Sequence, residues 1–247
     1  MSAILEVEGV SKSFGGVVAN RTVSLRVEAG EIVGLIGPNG SGKTTLFNAI
    51  VGQLPIDGGS IRFEGREISH LRMPEIARLG LVRTFQQTRV YRGMSCLDNM
   101  LISTPQTEIG FGAMLSRVSA DVREQAEEIL GFVGLYAKRR LRAGELSFGQ
   151  QKLLEFAMAL MNEPKMLLLD EPTAGINPTL INGLVDRLRR VNERRGIALL
   201  VIEHNMRVIM NLARRLYCLA HGELLAEGKP ADMQNDPRVI DAYLGAS

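Results

Sequence analysis

The sequence predicts an α/β protein with an antiparallel β subdomain at its N-terminus and an inserted α-helical subdomain. Three observations lead to this expectation. Residues 1–35 alternate apolar and polar positions on both sides of Gly15 and Gly16, a pattern typical of antiparallel strands joined by a turn. Segment 32–36 is apolar on both faces, which indicates a parallel strand covered above and below. The same pattern recurs at 166–169, 198–202 and 216–219, with helical periodicity between these segments.

The clearest predicted helix covers residues 178–195. Its apolar residues fall at helical spacing, namely Ile181, Leu184, Val185, Leu188 and Val191. Asn177 and Pro178 offer an N-cap and a proline at the first helical position, and Gly196 offers a C-terminal stop. We therefore expect a helix with one apolar side.

The segment 89–149 has a different character. It contains no convincing buried strand, and residues 119–133 carry apolar positions at helical spacing between charged ones. We interpret this segment as a mostly helical subdomain that interrupts the core. The expected organisation is one domain over 1–247, with a core formed by 1–88 and 150–247.

The composition excludes several classes of protein. The 247 residues are 45% hydrophobic and 23% charged, as in an ordinary globular protein. The chain has 29 basic and 27 acidic residues, and this net charge of +2 argues against general nucleic-acid binding. Cys96 and Cys218 lie far apart and predict neither a disulfide framework nor a thiolate metal site. The N-terminus carries Glu6 and Glu8 and lacks the features of a secretion signal, so we expect a protein of the cytoplasm that does not itself enter the membrane.

A phosphate-binding loop is predicted at residues 37–44, which read GPNGSGKT and match GxxxxGK[ST] between a buried strand and the helical run 44–54. The glycines allow backbone N–H groups to surround phosphates at a helix N-terminus. Lys43 can reach the β- and γ-phosphates, and the Thr44 hydroxyl can bind Mg²⁺. The nucleotide-binding residues proposed from this loop are Asn39, Gly40, Ser41, Gly42, Lys43, Thr44 and Thr45. The alternative is a glycine-rich turn that only caps a helix.

Two carboxylates follow the apolar run 166–169. Asp170 stands where a P-loop enzyme needs a ligand for Mg²⁺, direct or through water. Glu171 stands where a general base can accept a proton from the attacking water. The alternative is a solvated acidic turn, which Pro172 favours.

The string LSFGQQ at 146–151 precedes a helix that we expect to run to about residue 162. Ser147 and Gln150 have the spacing of a capping box, so capping alone is a serious alternative to a role in binding.

Taken together, these motifs resemble those of the ATP-binding-cassette (ABC) ATPases, and the resemblance covers essentially all 247 residues. The P-loop, Gln86 in RTFQ, the LSFGQ segment, the Asp-Glu strand and His204 in VIEH occur in that family's order. The strings GPNGSGKTT, RTFQ, DEPTAGINP and VIEH and the ending DPRVIDAYLG look most like the ATP-binding subunits of branched-chain (hydrophobic) amino-acid importers. The resemblance implies a P-loop NTPase (RecA-like) core that hydrolyses ATP.

The resemblance also implies roles that no pattern in the chain establishes alone. Phe14 would stack on adenine, and Gln86 would sense Mg²⁺ and the attacking water as a metal and catalytic residue. His204 would contact the γ-phosphate and hold Glu171 and the water in line. A core aromatic, a solvated glutamine and a structural histidine are the respective alternatives. His70 and His221 match no such position.

Ser147, Gly149 and Gln150 are implied to close over the γ-phosphate held by the P-loop of a second subunit. Two residues depart from the family pattern. Phe148 replaces the first glycine of LSGGQ. Asn177 stands where an aspartate is usual, so the negative charge that would link the two ATP sites of a subunit pair is absent.

The resemblance implies a subunit paired with itself or a homologous ATPase at the cytoplasmic face of the inner membrane, bound to permease subunits and served indirectly by an external binding protein. We place the permease contact after Gln86, at Arg89, Tyr91, Arg92 and Met94, with ordinary packing as the alternative. The rival functions are an exporter ATPase for lipid or lipopolysaccharide, an ABC ATPase of DNA or the ribosome, and a regulator that binds ATP without hydrolysing it. Branched-chain amino acids are the default cargo, with urea, amides or aromatic acids also open.

Overall fold

The computed structural model describes residues 3–84, 90–104 and 119–244. Two compact units are present. The first is formed by residues up to 83, 165–173 and 188 onward, and the second by 84–164 and 174–187. Each unit is described separately below, and the predicted domain boundaries stay a prediction.

The described residues contain the following elements in chain order. The strands are β1 (Ala3–Phe14), β2 (Val17–Glu28), β3 (Ile32–Ile36), β4 (Gly58–Phe63), β5 (Arg66–Glu67), β6 (Leu81–Arg83), β7 (Met166–Asp170), β8 (Ala198–Ile202), β9 (Arg215–Ala220) and β10 (Glu223–Gly228). The helices are α1 (Lys43–Ile50), α2 (Met73–Arg78), α3 (Cys96–Ile102), α4 (Ala120–Phe132), α5 (Phe148–Leu160), α6 (Pro178–Arg195), α7 (Met206–Leu212), α8 (Pro230–Gln234) and α9 (Pro237–Leu244).

The first unit contains the predicted antiparallel sheet, with strand order β2-β1-β4-β5. Gly15 and Gly16 form the turn between β1 and β2, both with positive φ, so the predicted hairpin is confirmed. Apolar residues such as Val7 and Leu25 are buried and directly paired across the two strands. Phe47 of α1 is part of the same apolar core, so α1 packs against it.

A second sheet in this unit has the order β10-β9-β3-β8-β7-β6. Strands β9, β3, β8, β7 and β6 are parallel neighbours, and β10 is antiparallel to β9. Every residue of β3, β7 and β8 is buried, as the sequence predicted for strands covered on both faces. Asp170 pairs with Ile202, and Leu35 pairs with Ile202 on the other side, so these three strands end at one edge of the sheet. Functional groups at that edge are expected to converge.

The described part of the second unit is mainly helical, which agrees with the predicted character of the insertion. Helix α4 confirms the helix predicted at 119–133, and the hydroxyl of Ser119 caps it by accepting from Val122 N at 3.3 Å. Two short 3-10 helices cover Tyr136–Lys138 and Ala143–Glu145. Within the described residues of this unit, β pairing is limited to an isolated bridge between Ser95 and Arg142.

Helix α6 begins and ends where the sequence predicted. The Asn177 side chain accepts from Thr179 N at 3.0 Å, and Gly196 adopts a φ of 67° after the last turn. The helix predicted at 44–54 is wrong at its end, because α1 stops at Ile50 and Gly52 turns the chain with a φ of 67°. Across the described residues, no helix has both the length and the apolar character that crossing a bilayer requires.

Candidate active site

The loop between β3 and α1 takes a conformation that only glycine permits at two positions. Gly37 has a φ of 146°, and a Cβ there would lie 2.1 Å from the Leu219 carbonyl oxygen. Gly42 has a φ of 98°, and a Cβ would lie 2.2 Å from the Ala19 carbonyl oxygen. Both glycines therefore let the loop curl against neighbouring backbone, as a phosphate-binding loop must.

Lys43 opens helix α1 and turns its side chain back over the loop. The Nζ atom donates to the carbonyl oxygens of Gly37 and Pro38, each at 2.8 Å, and lies 3.4 Å from Ser41 Oγ. Both Lys43 and Ser41 are buried, whereas Asn39, Gly40 and Thr44 are exposed and Gly42 and Thr45 are half-buried. The loop therefore combines a buried lysine ammonium with exposed backbone and hydroxyl groups that a ligand can reach.

Burial lowers the pKa of Lys43, because the charged ammonium is separated from water. The negative charges of Glu171 and Asp170 act in the opposite direction and favour the ammonium form. The same interactions show that the loop lysine lies within electrostatic range of both predicted carboxylates. A buried cation of this kind is stabilised further by an anion such as a phosphate.

Asp170 ends β7 with only 1% of its side chain exposed. Its Oδ2 accepts from Arg83 at 2.6 Å, whereas Oδ1 has no hydrogen-bond partner in the part of the chain that the structure describes. Arg83 is held in turn by Asn48 and by the ring of Phe47, 5.7 Å from the guanidinium. A buried carboxylate oxygen without a donor is costly and suits a hard cation such as Mg²⁺.

The residues present fit a magnesium ion held by few protein ligands. Among the described residues, no group of three or more His, Cys, Asp and Glu side chains could hold a metal. Mg²⁺ usually takes one or two protein oxygens and completes its shell with waters and substrate phosphates. Asp170 Oδ1 and the exposed hydroxyl of Thr44 are the described candidates for those two oxygens.

Glu171 and His204, predicted to act together, lie in contact. His204 Nε2 is 2.9 Å from Glu171 Oε1. The side chain of Glu171 is 22% exposed and that of His204 is 39% exposed. Glu171 has a φ of 49°, in the left-handed region that a side chain rarely adopts. Its N–H donates to the Ile202 carbonyl oxygen at 2.9 Å, which ties the end of β7 to the end of β8. The pair is therefore in contact and partly exposed, so a water molecule can reach it.

Phe14 lies at the end of β1 and is 46% exposed, so part of its ring is accessible for stacking. The neighbouring Lys12 ammonium is 5.6 Å from the ring centroid. The hairpin also contacts the loop, since Asn20 Nδ2 donates to the Gly42 carbonyl oxygen at 3.2 Å. These contacts are compatible with an adenine-stacking role for Phe14, which stays a prediction.

In the second unit, Ser147 and Gln150 form the predicted capping box at the start of α5. Gln150 N donates to Ser147 Oγ at 3.4 Å, and Ser147 N donates to Gln150 Oε1 at 3.2 Å. Gly149 is buried, and a Cβ there would lie 3.1 Å from Leu180 Cδ1. Ser147 is exposed, so the cap does not remove the serine from the surface.

Phe148, the departure from the usual glycine, is 46% exposed. Its ring lies against Gly175, where a Cβ would be 2.8 Å from Phe148 Cε1 and where φ is 72°. Asn177, the second departure, uses its side-chain oxygen to cap α6. Both departures therefore have local packing or capping roles in this unit.

Other predicted residues receive less support. Gln86 and Arg89 lie outside the described residues. Tyr91, Arg92 and Met94 are exposed, and their contact with a permease stays a prediction.

Tyr243 is a contact of the loop that the sequence did not indicate. Gly37 N donates to the Tyr243 hydroxyl at 2.8 Å, from a residue of α9 more than 200 positions away. Burial raises the pKa of Tyr243 to about 12, so the phenol is neutral at ordinary pH. The C-terminal helix thus satisfies the first N–H of the phosphate-binding loop.

Replacing Tyr243 by Phe is expected to lower the free energy of unfolding by about 1–2 kcal/mol, because the Gly37 N–H loses its partner. We also expect weaker ATP binding, measured by titration calorimetry, since the loop start is less constrained. Tyr136→Phe is the matched control, as Tyr136 is exposed on a 3-10 helix. Equal stability and ATP affinity in Tyr243→Phe and wild type would contradict this role.

Comparison with known proteins decides the family. The family described as ABC transporter matches residues 20–174, well over half of the chain. The chain belongs to the ABC transporter family. It is therefore an ATP-binding protein with ATPase activity. A second description, "Branched-chain amino acid ATP-binding cassette transporter", matches residues 223–247.

Relatives of this ABC cassette match it from end to end. The high-affinity branched-chain amino acid transport ATP-binding protein LivG of Salmonella typhimurium is 38% identical over 98% of both chains. BraF of Pseudomonas aeruginosa, which bears the same descriptive name, is also 38% identical over 98% of both chains. A probable LivG of Archaeoglobus fulgidus is 38% identical over 98% of this chain and 96% of its own.

Solved structures confirm the fold of the cassette. An ATP-binding cassette of an ABC transporter in its ADP conformation has a TM-score of 0.89 and 35% identity, covering 99% of this chain and all of its own. A nucleotide-free cassette from an ABC transporter has a TM-score of 0.87 at 35% identity and 98% coverage of both chains. The predicted P-loop NTPase core with an antiparallel β subdomain and helical parts is thereby confirmed.

Proposed function

We propose that this ABC ATPase powers an importer of branched-chain or other hydrophobic amino acids. The observation that carries the proposal is the match over residues 223–247, which lies beyond the part matched by the general ABC transporter description. Full-length relatives named for branched-chain amino acid transport support the same cargo. Lipid export and action on DNA or the ribosome are not favoured by any of these relatives.

The mechanism begins with ATP phosphates on the loop at 37–44. Lys43 supplies positive charge, and backbone N–H groups at the start of α1 donate to the phosphate oxygens. Thr44, Asp170 and Gln86 would hold Mg²⁺, which when bound supplies further positive charge to the phosphates. Phe14 provides an exposed ring for the adenine.

Glu171 acts as the general base for hydrolysis. Its carboxylate accepts a proton from the attacking water as the water oxygen bonds to the γ-phosphorus. The bond from that phosphorus to the β–γ bridging oxygen breaks, and ADP leaves. His204 donates to Glu171 or to a phosphate oxygen, and the 2.9 Å contact holds the base in place. Because the two side chains come from the ends of adjacent strands, small changes at this edge alter the geometry of the reaction.

Pairing of two subunits completes the site in this proposal. The start of α5, with exposed Ser147 followed by Gly149 and Gln150, would meet the γ-phosphate bound by the other subunit. A solved cassette of 25% identity is described as dimeric in a post-hydrolysis state with ADP and phosphate, which supports this arrangement. Loss of the γ-phosphate contacts then opens the pair, and the permease follows that motion.

ATP is expected to drive dimerisation of the Glu171→Gln variant, because ATP keeps its γ-phosphate when the general base is absent. Light scattering should show the mass rising from that of one 27.1 kDa chain to twice that value at saturating ATP. The same variant with Ser147→Arg is the control, since a bulky side chain there should block pairing. A monomeric Glu171→Gln variant at saturating ATP would contradict pairing between copies of this chain.

The cargo and the partners are tested by co-purification from native membranes. We expect the affinity-tagged full chain to retain permease subunits and a second ABC ATPase, and to be peripheral at the inner face of the membrane. The binding protein associated with that permease should bind leucine, isoleucine or valine in a ligand screen. Recovery of an exporter permease with no binding protein would contradict the importer assignment.

A further inference from the structure

Glu203 is next to the proposed catalytic pair along the chain and has no role assigned above. It immediately precedes His204, and its side chain reaches the segment that follows Glu171. Only 3% of the residue is exposed. A carboxylate this buried is costly unless it is fully hydrogen-bonded.

Three donors satisfy that carboxylate. Oε1 accepts from Thr173 N at 2.9 Å and also from the Thr173 hydroxyl. Oε2 accepts from Asn205 N at 3.2 Å. Asn205 then caps α7, because its Oδ1 accepts from Val208 N at 3.3 Å. Glu203 therefore connects the segment after β7 with the segment after β8.

This connection lies beside the Glu171 and His204 pair. The backbone bond from Glu171 N to the Ile202 carbonyl oxygen joins the two segments just before the pair. The bonds of Glu203 to Thr173 join them again just after it. Glu171 holds a left-handed φ of 49°, a conformation that persists only when neighbouring structure enforces it.

We propose that Glu203 is a positioning residue for ATP hydrolysis, which fixes the distance between Glu171 and His204 by anchoring Thr173. It touches neither water nor phosphate in this role. The inference rests on the proposed catalytic roles of Glu171 and His204. It predicts an effect on kcat that is separate from ATP binding, because the hydrogen bonds of Glu203 go to Thr173 and Asn205 and not to residues of the loop at 37–44.

Thr173→Val is the first test, because it removes the hydroxyl donor with almost no change in shape. We expect kcat to fall by roughly tenfold to a hundredfold, the size expected when a catalytic group is displaced by about 1 Å. KM for ATP should stay within about twofold of wild type, since the loop is untouched. Thr173→Ser restores the hydroxyl and should recover most of kcat.

Thr104→Val is the matched control. The Thr104 hydroxyl is also buried, but among the described residues it has no hydrogen-bond partner. Its loss should leave kcat unchanged. Glu203→Gln puts an NH2 donor against one of the donors that the carboxylate accepts from, so it weakens the same link and should resemble Thr173→Val. The double variant should be no slower than the slower single variant, because both changes act on that link.

The proposal is overturned if Thr173→Val retains wild-type kcat, if Thr173→Ser fails to recover it, or if the two changes add fully in the double variant. Should Glu203→Gln fail to fold, the threonine series decides alone. Glu171→Gln is measured in parallel. Normal hydrolysis by Glu171→Gln would refute the proposed mechanism itself, whereas an inactive Glu171→Gln with a fully active Thr173→Val would refute only the anchor.

Discussion

Replacing Glu171 by Gln is expected to lower kcat for ATP hydrolysis by about 10² to 10⁴-fold while leaving ATP affinity close to wild type. Glutamine has nearly the same shape and keeps an oxygen toward His204, so the 2.9 Å contact can persist. The amide cannot accept a proton from water at neutral pH. The change therefore removes the base and little else, and phosphate release assayed beside titration calorimetry separates the two effects.

Glu64→Gln is the matched control for this experiment. Glu64 is exposed and forms an ion pair with Lys165, and it is not one of the residues proposed for the active site. The same chemical change there should leave hydrolysis unaltered. Near-normal turnover by Glu171→Gln would exclude Glu171 as the base. A loss of ATP affinity equal to the loss of kcat would instead indicate a damaged binding site.

Replacing Gly42 by Ala should abolish measurable ATP binding and destabilise the fold. The new Cβ would lie 2.2 Å from the Ala19 carbonyl oxygen and 2.5 Å from Asn20 Nδ2, in a backbone with φ of 98°. Left-handed strain and overpacking together predict a loss of about 2–5 kcal/mol in the free energy of unfolding. Urea denaturation measures that loss, and titration calorimetry measures ATP binding.

Gly65→Ala separates the steric clash from the backbone strain. Gly65 has a φ of 75°, but no atom lies within 4 Å of a Cβ at that position. We expect a loss of about 1–2 kcal/mol there and unchanged ATP binding. If Gly42→Ala were no more destabilised than Gly65→Ala, the close approach of β2 to the loop would not hold the loop in place.

The sequence predicts the parts of the fold whose signals are local. Fully apolar runs locate β3, β7 and β8, and GxxxxGK[ST] locates the loop and the start of α1. The capping box at Ser147 is likewise local, since its partners are three residues apart. Strand β6 escapes prediction because three residues are too few for a periodic pattern.

Long-range contacts account for what the sequence did not indicate. Tyr243 joins the loop only because α9 returns to Gly37, and nothing near residue 243 indicates that contact. Glu203 resembles any acidic residue at a strand end until the fold buries it against Thr173. The C-terminal end of α1 was also not predictable from local sequence. The apolar pattern continues to residue 54, but the helix ends at Ile50 and Gly52 turns the chain.

The effect of Phe148 is also visible only in three dimensions. In the linear motif the phenylalanine replaces a glycine, and the sequence offers no reason for the substitution. In the structure the Phe148 ring lies beside Gly175. A Cβ atom at position 175 would be 2.8 Å from Phe148 Cε1. Phe148 and Gly175 thus form a matched pair, and the exposed Ser147 hydroxyl beside them stays accessible.

The most direct test of the central claim is ATP-dependent uptake of radiolabelled leucine by proteoliposomes that contain the transporter purified with this chain and its binding protein. We predict accumulation when ATP is present on the side of this subunit, and none when the subunit carries Glu171→Gln. Valine or isoleucine in excess should compete. Leucine uptake that is unaffected by Glu171→Gln, or an active ATPase that moves no hydrophobic amino acid, would contradict the account.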